Sequence, residues 1–158
     1  MAKHSAGLLV YRLRHGGLEV FLVHPGGPFW RNKDLGAWSI PKGEFANDED
    51  PLEAAKREFR EETGFNADGH CVPLQPVKQP SGKIVHAWAL EGDYDPAAVR
   101  SNTFTLEWPP NSGKTIEVPE IDHADWFVME VAKGKILPGQ YGFLIGLERY
   151  VSESAAAE

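Results

Sequence analysis

Two apolar runs open the chain, Ser5 to Arg14 and Leu18 to His24, with His15-Gly16-Gly17 between them. This pattern predicts two strands joined by a hairpin turn. Pro25-Gly26-Gly27-Pro28 ends the second strand; a loop over Phe29 to Gly36 and a short strand over Ala37 to Ile40 follow. The apolar spacing then becomes helical over Pro51 to Thr63. Asp50 supplies an N-cap, Pro51 suits the first helical position, Glu53 sits at capping-box spacing and Gly64 supplies the stop. Further strands are predicted around His70 to Val77 and over Lys83 to Glu91, then a short helix over Asp95 to Arg100. Trp108 to Glu120 contains Pro109-Pro110 and Asn111-Ser112-Gly113, which predicts a long loop or irregular hairpin. A strand over Asp125 to Val128, a helical turn near Met129 to Lys133 and a closing helix over Tyr141 to Val151 complete the order. Residues 152–158 are expected to fray. Mixed strands with few helices imply one α+β layered domain over residues 1–151.

Composition agrees with a single ordinary domain. The chain has 158 residues, 42% hydrophobic and 25% charged, enough for a core without disulfide or metal staples. Cys71 is the only cysteine, so no internal disulfide can form and a reducing compartment is expected. A lone cysteine is more often inert filler than a nucleophile. No apolar run approaches the roughly 18 residues of a membrane span. The start does not resemble a signal peptide, so a cytoplasmic protein is expected. The net charge of −7 argues against a broad nucleic-acid surface. It does not exclude a small polyanionic substrate, because a bound divalent cation reverses the local field.

Candidate chemistry concentrates on the first helix. Glu58, Glu61 and Glu62 stand at i, i+3 and i+4, within an arc of roughly 100°. Leu52, Ala55 and Phe59 form an apolar stripe beside them. The carboxylates therefore border the buried side, where mutual repulsion and the helix macrodipole both oppose them. A divalent cation with oxygen ligands would reverse that penalty. The competing reading is a solvated acidic face, laced by the i, i+4 pairs Glu53–Arg57 and Arg57–Glu61.

Gly43 to Phe65 reads GEFANDEDPLEAAKREFREETGF. This resembles the Nudix signature, G-x5-E-x7-R-E-U-x-E-E-x-G-U, with U a bulky apolar residue. Gly43, Glu49, Arg57, Glu58, Phe59, Glu61, Glu62, Gly64 and Phe65 all fall on its fixed positions. The resemblance implies a loop–helix–loop inside an α/β/α sandwich with a mixed sheet. It implies Mg2+, or Mn2+, held by Glu58, Glu61 and Glu62, with the Gly43 carbonyl a possible further ligand. Arg57 would orient one of the glutamates, and Glu49 would support the loop. Glu58 and Glu62 are candidates for the base that takes a proton from water. In some members the base or a further ligand comes from a later loop, and Glu120 is the choice here, against its reading as an ordinary loop acid.

The residues outside the box bear on substrate. Pro41-Lys42-Gly43 is similar to the form found among dinucleoside polyphosphate and diphosphoinositol polyphosphate hydrolases. Lys42 is thus a candidate phosphate contact, or equally a solvated lysine. Trp30, Trp38, Trp88, Trp108 and Trp126 are mostly expected in the core; Trp108, beside Pro109-Pro110, is the candidate for stacking on a base. His86 and His24 read either as phosphate or proton-transfer groups or, more simply, as satisfied strand histidines. The function implied is hydrolysis of a diphosphate linkage in a nucleoside diphosphate derivative. A dinucleoside polyphosphate is the first expectation, a nucleoside triphosphate the second, and a nucleotide sugar or diphosphoinositol compound the third. A non-catalytic nucleotide sensor is the competing class. A small-molecule nucleotide is the expected partner, with no nucleic-acid polymer and no membrane.

Overall fold

The computed structural model describes residues 3–157. Its strands are β1 (His4–Arg14), β2 (Gly17–Pro25), β3 (Lys42–Glu44), β4 (Cys71–Pro73), β5 (Val77–Lys78), β6 (Ile84–Glu91), β7 (Thr103–Glu107), β8 (Thr115–Pro119) and β9 (Ile121–Val128). Its helices are α1 (Pro51–Thr63), α2 (Met129–Lys135) and α3 (Tyr141–Ala157).

The β1–β2 hairpin turns at His15 and Gly16, whose φ angles of 54° and 75° give the twist that a two-residue hairpin requires. The main sheet runs β4-β6-β1-β2-β9, with β3 also paired to β1 and β5 to β6. It is mixed, because β1 lies antiparallel to β2 and parallel to β6. Register fixes which side chains face which layer. Val10 stands opposite Phe21, and both join Ala6, Leu8 and Val23 beneath Ala54, Ala55 and Phe59 of α1. Tyr11 stands opposite Val20, and both face Met129, Ala132, Phe143, Leu144 and Leu147 of α2 and α3. The sheet is thus covered on both faces, which explains why β1 reads as a continuous apolar run. This is the expected α/β/α sandwich, an α+β fold with a mixed sheet.

Helix α1 begins and ends where its sequence signals lie. The Asp50 carboxylate accepts the Glu53 N–H at 3.0 Å, and Gly64, at φ 83°, donates its N–H to the Arg60 carbonyl at 2.7 Å.

Several expectations need correction. Ala37 to Ile40 is not a strand but makes isolated bridges, Ser39 to Val23 and Trp38 to Ile136. Pro41 follows it, and the Ile40 N–H goes to the Gln140 side-chain oxygen at 3.1 Å rather than to a neighbouring strand. The strand expected over His70 to Val77 is split into β4 and β5, since Pro73 and Pro76 lack the N–H that a ladder uses. Asp95 to Arg100 is reduced to a 3-10 turn over Pro96–Ala98, capped by Asp95. Trp108 to Glu120 is more regular than expected: β8 pairs with β7, a strand not anticipated, and Pro109, Pro110 and Gly113 are confined to the tip between them. The expected fraying after Val151 is replaced by helix through Ala157, in keeping with the helix preference of Ala155, Ala156 and Ala157; Glu158 lies outside the described residues. Among the described residues, no helix is long and apolar enough to cross a membrane.

Candidate active site

The site is assembled from α1, the start of β3 and the segment entering β9. On α1, Glu58 and Glu62 stand one turn apart on the buried side, only 8% and 7% exposed, while Glu61 is half-buried. The carboxylates are therefore set deeper than the edge position the apolar stripe suggested. Strand β3 passes directly over Glu58. A Cβ at Gly43 would lie 2.1 Å from the Glu58 carboxyl carbon, so any side chain there would displace that carboxylate. The Gly43 backbone and the Glu58 carboxylate are thus in contact.

Arg57 organises the rest of the ridge. Its Nε and Nη2 donate to the two Glu49 oxygens at 2.9 and 3.1 Å, a bidentate fork. Its Nη1 donates to Glu58 Oε1 at 2.9 Å and reaches Glu61 Oε2 at 3.5 Å. Glu53 does not join this network; it lies 3.9 Å from Lys56. Hydrogen bonding to Glu49 holds the Arg57 guanidinium above its ordinary pKa.

Burial sets the electrostatics. It pushes the Glu62 carboxyl up to about 8, with Glu120 and Glu58 adding repulsion and Lys42 opposing. Glu58 is raised by burial and by Glu61, and Glu120 likewise by burial and by Glu61. Lys42 is lowered by burial and by nearby Lys83. Three carboxyl groups are therefore held against their preferred charge in one place.

A cavity of about 230 Å³ opens beside this ridge, lined by Lys42, Glu62 and Glu120 with Trp30, Ile40 and Ile121 among its apolar walls. Backbone bonds from the end of α1 hold Glu120 there. The Thr63 and Glu61 carbonyls, which the helix leaves without partners, accept the Arg100 and Asn102 N–H groups at 2.7 and 3.0 Å. The Asn102 carbonyl then accepts the Glu120 N–H at 2.8 Å, and the Glu120 carbonyl accepts the Gly26 N–H at 2.9 Å. One continuous chain of bonds ties the carboxylate helix to the residue facing it.

The donor set fits a hard divalent cation. Glu58, Glu61 and Glu62, with the Gly43 carbonyl and Glu120, offer only oxygen. Gly43 leaves the Glu58 carboxylate uncovered by any side chain on that side. Among the described residues no three His, Cys, Asp or Glu side chains already form a metal cage. Arg57 instead draws Glu58 and Glu61 toward itself.

Other candidates lie elsewhere. His86 does not line the cavity: its Nε2 lies 2.9 Å from His4 Nδ1, and both rings pack on Phe45. Register places it across β1 from Gly43, since Ala6 pairs with both residues. His24 is a satisfied strand histidine, its ring nitrogens 2.8 Å from Asp122 Oδ1 and 2.6 Å from the Lys33 carbonyl. Trp108 lies in a neighbouring pocket, edge-on to Phe29 at 5.3 Å. Cys71 is half-buried, and burial raises its thiol, the opposite of an activated nucleophile. Trp30 was not singled out among the five tryptophans, because only the fold brings its loop to the cavity. Glu49 reads in sequence as a supporting residue, and its fork to Arg57 needs the loop's path to be known.

Three comparisons bear on this arrangement. A family model described as NUDIX domain matches residues 2–145. No curated protein matches in sequence. Among solved structures, a C. elegans Ap4A hydrolase binary complex aligns with TM-score 0.64 and 22% identity, over 98% of this chain and 99% of that one. A mutT/nudix family protein from Listeria innocua aligns with TM-score 0.66 and 17% identity, over 99% and 98%. The NUDIX domain of Shewanella oneidensis NrtR, complexed with ADP ribose, aligns with TM-score 0.64 and 16% identity, over 95% and 88%.

Proposed function

The chain belongs to the Nudix hydrolase family, and we propose that within it the protein is a divalent-metal-dependent diphosphatase acting on a dinucleoside polyphosphate. The observation that carries this reading is the contact between Gly43 and the buried Glu58 carboxylate, beside a cavity that gathers Lys42, Glu62 and Glu120. A solvated acidic face would leave these carboxylates in water. Here two are buried and raised, an arrangement that suits groups awaiting a cation.

Glu58, Glu61, Glu62 and the Gly43 carbonyl would hold Mg2+, or Mn2+ in its place. The bound ion would neutralise diphosphate charge and supply an activated water. The chain's own residues do the rest. Arg57, anchored on Glu49, fixes the Glu58 carboxylate. Lys42 offers a positive charge to a phosphate in the cavity; burial and Lys83 lower its pKa, and Glu62 and Glu44 oppose that shift. Glu120 lines the cavity opposite Glu62 and would accept the water's proton. Trp30, Ile40 and Ile121 line the cavity with apolar surface beside the reacting end.

The dinucleoside polyphosphate assignment is supported by the Pro41-Lys42-Gly43 form and by fold neighbours whose names specify Ap4A hydrolysis and an ADP ribose complex. The test is product release from diadenosine polyphosphates, nucleoside triphosphates, nucleotide sugars and dinucleotide cofactors, with magnesium and then with chelator. Metal-dependent cleavage, fastest for diadenosine polyphosphates, is the expected result. Preference for triphosphates would replace the substrate, and magnesium-independent cleavage would refute the mechanism. Cleavage of none would favour a nucleotide sensor.

A further inference from the structure

A second hollow of about 330 Å³ lies beside the cavity. Its walls include Pro28 and Arg31 from the loop after β2, Trp108 and Ile116 from the β7–β8 hairpin, and Pro119 and Asp122 from the segment entering β9. The two hollows share a ridge, since Pro25 and Glu120 line the first while Pro28 and Pro119 line the second. At that ridge the two segments touch: a Cβ on Gly26 would sit 2.0 Å from the Pro119 carbonyl oxygen.

Three features in or beside the second hollow lie outside the hydrophobic core. Phe29 is 57% exposed, a large apolar ring left at the surface. It meets the half-buried Trp108, which lines the hollow, edge-on, so a second aromatic ring stands beside the one in the wall. Arg31 is exposed and, among the described residues, has no carboxylate within ion-pair distance. Asp122 is the one acid in the wall, and its Oδ1 is already engaged by His24 at 2.8 Å. Aromatic rings beside an unpaired guanidinium match a heteroaromatic base joined to a phosphate: the rings stack on the base and the guanidinium binds the phosphate. The volume also lies at the lower end for small-molecule sites, about 300 Å³ and upward.

We propose that this hollow is a second nucleoside subsite. Trp108 and Phe29 take the base, and Arg31 takes the adjoining phosphate, at the far end of a substrate whose reacting diphosphate lies by Lys42, Glu62 and Glu120. The proposal rests on the reading of the first cavity as the diphosphate site. It makes Arg31 and Trp108 the residues that select two-ended substrates over single nucleotides.

The test is calorimetric binding of two methylene-bridged, non-hydrolysable probes in magnesium: a diadenosine tetraphosphate analogue and an ATP analogue. Wild type is expected to bind the two-ended probe at least about tenfold more tightly, the gain of one base stack and one phosphate contact. Trp108→Ala and Arg31→Ala should each remove about tenfold of that affinity, with the ATP analogue changed less than about twofold. Arg31→Lys should recover part of the loss, since it keeps the charge. Equal affinity of wild type for the two probes, no binding of either, or unchanged affinity in both variants would overturn the subsite. Lys42→Ala separates the two readings: if it leaves both probes unaffected, the first cavity has been misread, whereas unchanged Trp108 and Arg31 variants condemn the second hollow alone.

Discussion

Helix α1 and the β7–β8 hairpin are joined through Asn102 and Glu120, yet they are built in opposite ways. α1 is locked at both ends, packed on the sheet through Ala54, Ala55 and Phe59, and carries two carboxylates into that packing. The hairpin is solvated along almost its whole length, with only Val118 buried, and it pairs with no other strand. Reactive groups that must be held against repulsion need a rigid support, so they sit on the helix. Groups that recognise a variable part of a substrate need only a surface, so a hairpin with few packing constraints suffices. The contrast predicts that substitutions at the α1 carboxylates and at Gly43 affect turnover, while those on the hairpin and its neighbouring loop affect affinity.

The largest effects belong to the carboxylates. Glu61→Gln or Glu62→Gln should lower turnover at least about 100-fold with little loss of fold, the usual cost of removing a ligand or base. Near-normal turnover of either variant would remove that residue from the site. Gly43→Ala should fall to a comparable degree, because its methyl group meets the Glu58 carboxylate at 2.1 Å and a displacement of about 1 Å can cost about 100-fold. A normal rate would show that β3 gives way freely and that the contact is incidental.

A smaller effect follows from proton linkage. The folded Glu62 carboxyl is raised to about 8 by burial, so the folded state holds this proton more tightly than the unfolded chain. Without divalent metal, Glu62 therefore contributes its full stability below the ordinary carboxyl range, and loses it as pH rises through about 8. The melting temperature measured in chelator should fall over that interval, and Glu62→Gln should flatten the fall. A metal-free stability curve that rises from pH 5 to 8 in wild type relative to Glu62→Gln would contradict the burial argument. Lys42→Ala should raise KM for polyphosphate substrates several-fold more than it lowers kcat, since Lys42 acts as a point charge on a phosphate. An unchanged KM would exclude it from phosphate binding. The smallest effect is expected at His86, paired with His4 outside the cavity: His86→Gln should leave kcat and KM within about twofold, and a larger change in either would extend the site across β1.

The sequence made α1 legible because its information is local. Asp50, Pro51 and Gly64 bound the helix by backbone chemistry, and Glu58, Glu61 and Glu62 share a face by helical period alone. The sandwich was legible for the same reason, as β1 and β2 are dense apolar runs around a recognisable turn. What escaped was non-local. The Asn102–Glu61 and Gly26–Glu120 bonds join segments far apart in the chain, so the second wall of the cavity had no local signal beyond one loop acid. β7 was missed because Phe104 and Leu106 alternate with Thr103, Thr105 and Glu107 over only five residues, too short a run to stand out, and its partner β8 lies beyond a Pro- and Gly-bearing tip. The depth of Glu58 and Glu62 was underestimated because periodicity gives the direction of a side chain, not what β3 places over it. His86 was flagged by residue type, and its actual partner, His4, comes from another strand.

The central claim is that the buried carboxylates of α1 are a cation site and not a solvated acidic face. It is tested most directly by calorimetric titration of magnesium into metal-free wild type and into Glu58→Gln and Glu62→Gln. The account predicts saturable binding by wild type and a loss of at least about tenfold in affinity in each variant, the scale of effect expected when even a supporting group at a metal site is removed. Equal magnesium binding by all three proteins, or none by wild type, would contradict it.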